Sequence, residues 1–153
     1  MRLTTRISAC RAAVPLAVAA AVLSRGDAAA GCSCRLPPPP QEALAQADAV
    51  FVGLVQESVA QDVESAPGSR VAVTFSVLRS WKGVEEPSVT VYTGANTAVC
   101  GYPFDVGRRY LVYATVSDPG MLATNMCTRT AEEDAAQSDI SALGPGRPSI
   151  GGH

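Results

Sequence analysis

The 153-residue sequence holds one histidine, His153, and it is the last residue. No internal imidazole is therefore offered as a catalytic base or as the completing ligand of a Cys/His zinc knuckle. Basic residues do not cluster: Lys82, Arg108 and Arg109 come nearest to a patch, too few to hold a nucleic-acid backbone. The longest apolar run, Ala12 to Leu23, falls short of the roughly 20 residues a membrane-spanning helix needs. Thr93-Gly94-Ala95-Asn96 lacks the basic partner and following helix of a phosphate cradle and reads as a turn. Glu132, Glu133 and Asp134 read as dipole-complementing residues in the first turn of a helix rather than as catalytic acids. These absences argue against an enzyme, a nucleic-acid binder and an integral membrane protein, and no cofactor is expected.

What is present begins with an export signal. Arg2, Arg6 and Arg11 precede the apolar run, and Ala28-Ala29-Ala30-Gly31 supplies small residues for cleavage, so residues 1–30 read as a signal peptide. Cutting after Ala30 or after Gly31 satisfies the small-x-small rule almost equally. A lipid-attachment box at Ala29-Ala30-Gly31-Cys32 is the alternative. Arg25 and Asp27 stand between it and the apolar run, and lipidation would leave an odd number of cysteines. Losing residues 1–30 removes four arginines and one aspartate and takes the formal net charge from −2 to −5 on 123 remaining residues. That length makes one domain, residues 31–143, with a modest core. The expected location is extracellular or periplasmic.

Cys10 leaves with the signal, and Cys32, Cys34, Cys100 and Cys127 remain, an even number suited to two disulfides. In an extended Cys32-Ser33-Cys34 both thiols project from one face and are poorly placed to bond each other. Two long-range pairings stay open. A thiolate metal site fits less well, because C-x-C with two isolated cysteines lacks zinc-knuckle spacing.

Along the mature chain, Pro37 to Pro40 lead into a helix over residues 41–48. Strands are predicted over 49–55, 70–78, 88–93, 109–116 and 121–127, and residues 56–69, with Pro67-Gly68, read as a hairpin loop. Trp81 reads as core or strand-end packing, and the aromatics Tyr102, Phe104, Tyr110 and Tyr113 read as barrel wall and interior. Thr130-Ala131-Glu132-Glu133 has capping-box spacing, opening a helix that carries Ala135, Ala136, Ile140 and Leu143 and stops at Gly144-Pro145. Residues 144–153 read as a disordered tail. The fold class expected is mainly β: a five-stranded, OB-like Greek-key barrel with two flanking helices and two disulfides.

Several pieces occur in an order that resembles the netrin-like module, specifically the amino-terminal domain of the tissue inhibitors of metalloproteinases. They are Cys32-Ser33-Cys34, the helix at 41–48, Ala98-Val99-Cys100-Gly101, Asp105-Val106-Gly107 with Tyr110-Leu111, and the closing Cys127. The likeness spans about residues 32–130. It implies an OB-like barrel with bridges Cys32–Cys100 and Cys34–Cys127. It also implies an inhibitor whose partner is a zinc metalloprotease; separately, a monomer is expected. The free amino group and carbonyl of Cys32 would ligate the protease zinc, and Ser33 would enter the primary specificity pocket. Cys34, Ala98, Val99 and Cys100 would complete the contact ridge. The sequence departs from the family pattern at Leu36, where proline is usual, and at Ala45, where cysteine is usual; no cysteine follows Cys127. If Gly31 remains after cleavage, Cys32 has no free amino group. The alternative is then a non-inhibitory module that binds another extracellular protein through its barrel face or loops.

Overall fold

Strand β1, Ala49–Val63, sets the plan of the molecule because its first half is buried on both faces. Ala49, Phe51 and Val55 point into one cluster with Val73, Phe75, Val77, Val91, Tyr110, Val112 and Ala114, the interior of a barrel. Val50 and Val52 point the other way, against Ala43, Ala47, Leu111, Tyr113, Ala136 and Leu143, under two helices. Side chains alternate across a strand, so a strand lying between two apolar compartments reads as a continuous apolar run. Burying each such Val or Phe contributes about 1.5–3 kcal/mol. The computed structural model describes residues 31–63, 66–118 and 120–149. The signal peptide read over 1–30 and His153 lie outside the described residues.

β1 pairs antiparallel with β2 (Ala66–Lys82), and β2 with β3 (Ser88–Gly94). β3 runs parallel to β5 (Met121–Ala123), which pairs with β4 (Arg109–Asp118), and β4 returns to β1 through pairs such as Phe51↔Val112. The ring β1-β2-β3-β5-β4-β1 is closed, the five-stranded OB-like barrel expected from the sequence. Short strands β6 (Ala131–Glu132) and β7 (Arg147–Pro148) add to β4 and β2. Phe51, Phe75, Phe104, Tyr110 and Tyr102 meet at centroid distances of 4.6–5.8 Å, mostly edge to face, and fill the barrel between β1, β2 and the 102–104 loop.

Helix α1, Pro40–Gln46, starts at the proline run, with Pro39 as N-cap and Pro40 in its first turn. Lys82 Nζ donates to the carbonyls of Leu44 (3.1 Å) and Ala45 (2.9 Å), satisfying acceptors that the helix end leaves free. Helix α2, Gln137–Leu143, lies against α1, and Gln41 Nε2 donates to Ala142 O at 2.6 Å. Trp81 packs on this layer, as expected, and its Nε1 donates to Gly144 O at 2.9 Å.

Four local readings need correction. Residues 56–69 are not simply a loop. β1 and β2 continue as a paired ribbon through Glu57↔Thr74, Val59↔Ala72 and Gln61↔Arg70. Residues 56–61 are exposed, so no buried face writes an apolar alternation into that stretch. The fifth strand ends at Ala123, because Thr124 and Asn125 turn the chain toward Cys127. Thr130 does not cap α2, whose N-cap is Ala136 with no side-chain bond; Thr130 is buried and its hydroxyl accepts from Tyr113 N at 3.0 Å. Glu132 and Glu133 therefore precede the helix, paired with Arg108 and Arg109. Finally, the segment expected to begin a disordered tail pairs through Arg79↔Pro148 and Ser80↔Arg147, with Ser149 N donating to Leu78 O.

Candidate functional site

Cys32, Ser33 and Cys34 lie in a segment outside the sheet and helices, with Ser33 and Cys34 exposed and Cys32 half-buried. Disulfides Cys32–Cys100 and Cys34–Cys127 fasten it, with Cα–Cα distances of 5.1 and 5.0 Å. The bridges span 68 and 93 residues, so each limits the unfolded chain strongly, by about 4–5 kcal/mol in the chain-entropy account. The pairing is the one the family resemblance implies.

The Cys32–Cys100 bridge brings the 98–100 loop to the leading segment, and local chemistry shapes that loop. Asn96 Oδ1 accepts from Ala98 N (2.9 Å) and Val99 N (3.3 Å), capping a single 3-10 turn, Thr97–Val99. Asn96 O accepts from Gly101 N at 2.8 Å. A Cβ on Gly101 would lie 2.0 Å from Gly94 O, so only glycine lets the two arms of the loop close. Cys100 sits in the left-handed region at φ 60°, a conformation that costs a non-glycine residue about 1–2 kcal/mol. Its bridge, its own N–H to Thr97 O and the Met126 N–H on its carbonyl (3.0 Å) hold it there. Ala98 and Val99 are consequently turned to solvent, Val99 by 54%.

The loop carrying Cys127 is built the same way. Asn125 Oδ1 accepts from Cys127 N at 2.8 Å, an Asx turn. Beneath it Thr124, Thr128 and Thr130 share hydroxyl contacts of 2.9–3.1 Å, and Thr124 Oγ1 donates to Tyr113 O at 2.8 Å. The following Arg129 is the main polar tie of this side of the molecule. Its Nε and Nη2 donate to Asp139 Oδ2 and Oδ1, both at 2.6 Å, and its Nη1 donates to Pro38 O at 3.0 Å. One guanidinium thus joins the proline run, the Cys127 loop and α2. Bonding to Asp139 raises the Arg129 pKa further above its ordinary value. The Tyr113 phenol, buried beside this pair, is pushed up to about 12, first by burial and then by the Asp139 charge.

All six residues read as contact ridge, Cys32, Ser33, Cys34, Ala98, Val99 and Cys100, belong to this one bridged edge. Leu36 and Met126 extend it with further exposed apolar surface, 96% and 40% accessible. Arg35 is the only charged residue within 31–37, 94–101 and 124–128. Residue-level reading missed Asn96, Asn125, Arg129 and Asp139. The signal for the last was an aspartate spaced three from Ala136 and four from Leu143, on the apolar side of its helix, where a charge requires a partner. The Sγ atoms of Cys32, Cys34 and Cys127 lie within 4.8 Å of one another, but all three are committed to disulfides and offer no thiolate.

The family model for the tissue inhibitor of metalloproteinase matches residues 30–137. Metalloproteinase inhibitor 2 of Homo sapiens is 30% identical over 123 residues, covering 76% of this chain and 54% of that protein. Metalloproteinase inhibitor 2 of Gallus gallus is 28% identical over 124 residues, covering 77% of this chain and 56% of that protein. The chain thus spans about half the length of the curated relatives it matches. With the matched region carrying both bridges and the edge they fasten, the chain belongs to the tissue inhibitor of metalloproteinase family, a metalloproteinase-inhibitor-like module and not an enzyme.

Proposed function

We propose that this protein is exported, loses its signal peptide, and acts as a monomer that inhibits a zinc metalloendopeptidase through its bridged amino-terminal edge. The observation that carries the reading is the double fastening of the Cys32-Ser33-Cys34 segment, exposed at Ser33 and Cys34, beside the exposed Ala98-Val99 turn. A catalytic zinc keeps one coordination position for water. With Cys32 as first residue, its α-amino nitrogen and carbonyl oxygen take that position together. An α-amino group of pKa about 7.7–8.0 gives up its proton at little cost near neutral pH. Ser33 enters the neighbouring specificity pocket, and Cys34, Ala98, Val99 and Cys100 supply the surrounding contact. Because the bridges fix these groups in advance, little ordering entropy remains to be lost on binding.

A second reading rests on Gly31. Cleavage after Ala30 leaves one residue ahead of Cys32, its nitrogen becomes an amide, and the module then binds an extracellular protein without ligating zinc. One pair of measurements separates the two. Intact mass of the exported protein reports whether Cys32 or Gly31 comes first, or whether a lipid is attached. Inhibition of a zinc endopeptidase is then assayed before and after selective acetylation of the α-amino group. The inhibitor reading expects a Cys32 terminus and loss of inhibition by at least about 100-fold, the worth of one charge-bearing contact of 2.7 kcal/mol or more. Unchanged inhibition after acetylation rejects zinc ligation by Cys32.

A further inference from the structure

The two disulfides are not independent. Cys32 Sγ and Cys127 Sγ, which belong to different bridges, lie in non-bonded contact at 3.5 Å, and Cys34 Sγ lies in the same cluster within 4.8 Å. Neither contacting sulfur carries hydrogen while both bridges are closed, so this is not a hydrogen bond. It is close to the separation from which a thiolate attacks a disulfide, and opening one bridge frees its cysteine to swing into line with the bond it attacks. We propose that opening either bridge causes the other to rearrange, so that the protein with one disulfide left carries Cys32–Cys127, with Cys34 and Cys100 as thiols.

Both routes lead to that species. In the first, an external dithiol reduces Cys32–Cys100: the bridge gains two electrons and two protons, and the dithiol is oxidised to its own disulfide. The Cys32 thiolate then attacks Cys127 Sγ. The Cys32–Cys127 bond forms, the Cys34–Cys127 bond breaks, and Cys34 leaves as a thiolate that takes up a proton from solvent. In the second, the dithiol reduces Cys34–Cys127, whose Cys34 end is solvent-exposed. The Cys127 thiolate then attacks Cys32 Sγ, and Cys100 is the leaving group. The exchange step itself is redox-neutral in both cases.

The rearrangement moves the anchor of Cys32 from the 98–100 loop to the 125–127 loop. If the inhibitor reading above holds, on which this consequence alone rests, the zinc-ligating residue leaves its position and inhibition falls. The device is then a thiol-sensitive release of the protease. The bond rearrangement does not depend on that reading.

The full exported protein, oxidised, is treated with less than one equivalent of dithiothreitol, quenched in acid, alkylated and mapped by tandem mass spectrometry, with cleavage at Ser33 telling Cys32 from Cys34. The expected result is label on Cys34 and Cys100 together with a Cys32–Cys127 linked peptide. Label confined to Cys32 with Cys100, or to Cys34 with Cys127, overturns the proposal. In a second arm, Cys100→Ser leaves three cysteines. A free thiol found on both Cys32 and Cys34 supports exchange, and one found on Cys32 alone overturns it. Inhibition by the alkylated material tests the consequence separately. Exchange with inhibition absent throughout counts against the inhibitor reading and leaves the rearrangement standing.

Discussion

Tyr113 is a buried phenol whose hydroxyl has no hydrogen-bond partner within 3.5 Å among the described residues, although it lies close enough to the Arg129–Asp139 pair to feel both charges. Its pKa is pushed up to about 12, chiefly by burial, against about 10 in an unfolded chain. The folded state therefore holds its proton where the unfolded state has lost it. The stabilisation is whole below pH 10 and drains away as pH rises toward 12. Burial raises Tyr102 and Tyr110 as well, so they share in the same alkaline loss. Tyr113→Phe is expected to keep the pH 7 melting temperature within about 3 °C, since removing an unpartnered buried hydroxyl is nearly neutral. It should also shrink the drop in melting temperature between pH 9 and pH 11. Thermal melts followed by circular dichroism check both, and an alkaline drop equal to that of the parent protein refutes the assignment. At this scale the sequence showed the four bridging cysteines but not Asn96 or Asn125. An asparagine that shapes a loop differs from any other only once its side chain is seen to accept backbone N–H groups.

Among the elements, legibility followed burial. The run Ala49 to Val55 was readable because both faces of β1 are covered, and Arg70 to Leu78 because one face is. The ribbon beyond Val55 was not, because cross-strand pairing in solvent leaves no apolar period. Thr130 misled for a different reason. Its spacing to Glu133 is that of a capping box, yet β6 forms there and the hydroxyl serves Tyr113 N instead, a tertiary contact outweighing a local pattern. The tie between α2 and the proline run is a test of the same point. Asp139→Ala leaves Arg129 partly buried without its carboxylate and is expected to cost about 3–5 kcal/mol in urea unfolding. Replacing both residues by apolar ones of similar size, as in Arg129→Met with Asp139→Leu, should recover much of that loss. A single variant within 1 kcal/mol of the parent would mean that the pair is only decoration.

For the molecule as a whole, the barrel and its two helices bury separate apolar clusters on opposite faces of β1 and β4, a modest core for the size of the domain. The bridges make up the remainder. Removing one cleanly, as Cys34→Ser with Cys127→Ser, is expected to lower unfolding free energy by about 2–5 kcal/mol. The urea midpoint should fall with little change in slope. An unchanged midpoint would show that the barrel stands without its covalent ties. The barrel, the two helices flanking it and, through the family likeness, the bridge pairing were legible from the sequence; closure of the barrel through β1 and β4 was not. The ordering of residues 144–149 on β2 was not, since Gly- and Pro-rich composition carries no trace of a two-residue pairing.

The hydrogen bond from Met126 N to Cys100 O joins the two loops that hold the distant cysteines. The path from Cys32 through Ser33 to Cys34, across to Cys127, back over Met126 to Cys100 and home to Cys32 is therefore a closed circuit of covalent links and one amide contact. Ser33 is its exposed vertex. A protein meeting this edge encounters something akin to a cyclic peptide mounted on a barrel, and opening either bridge breaks that macrocycle.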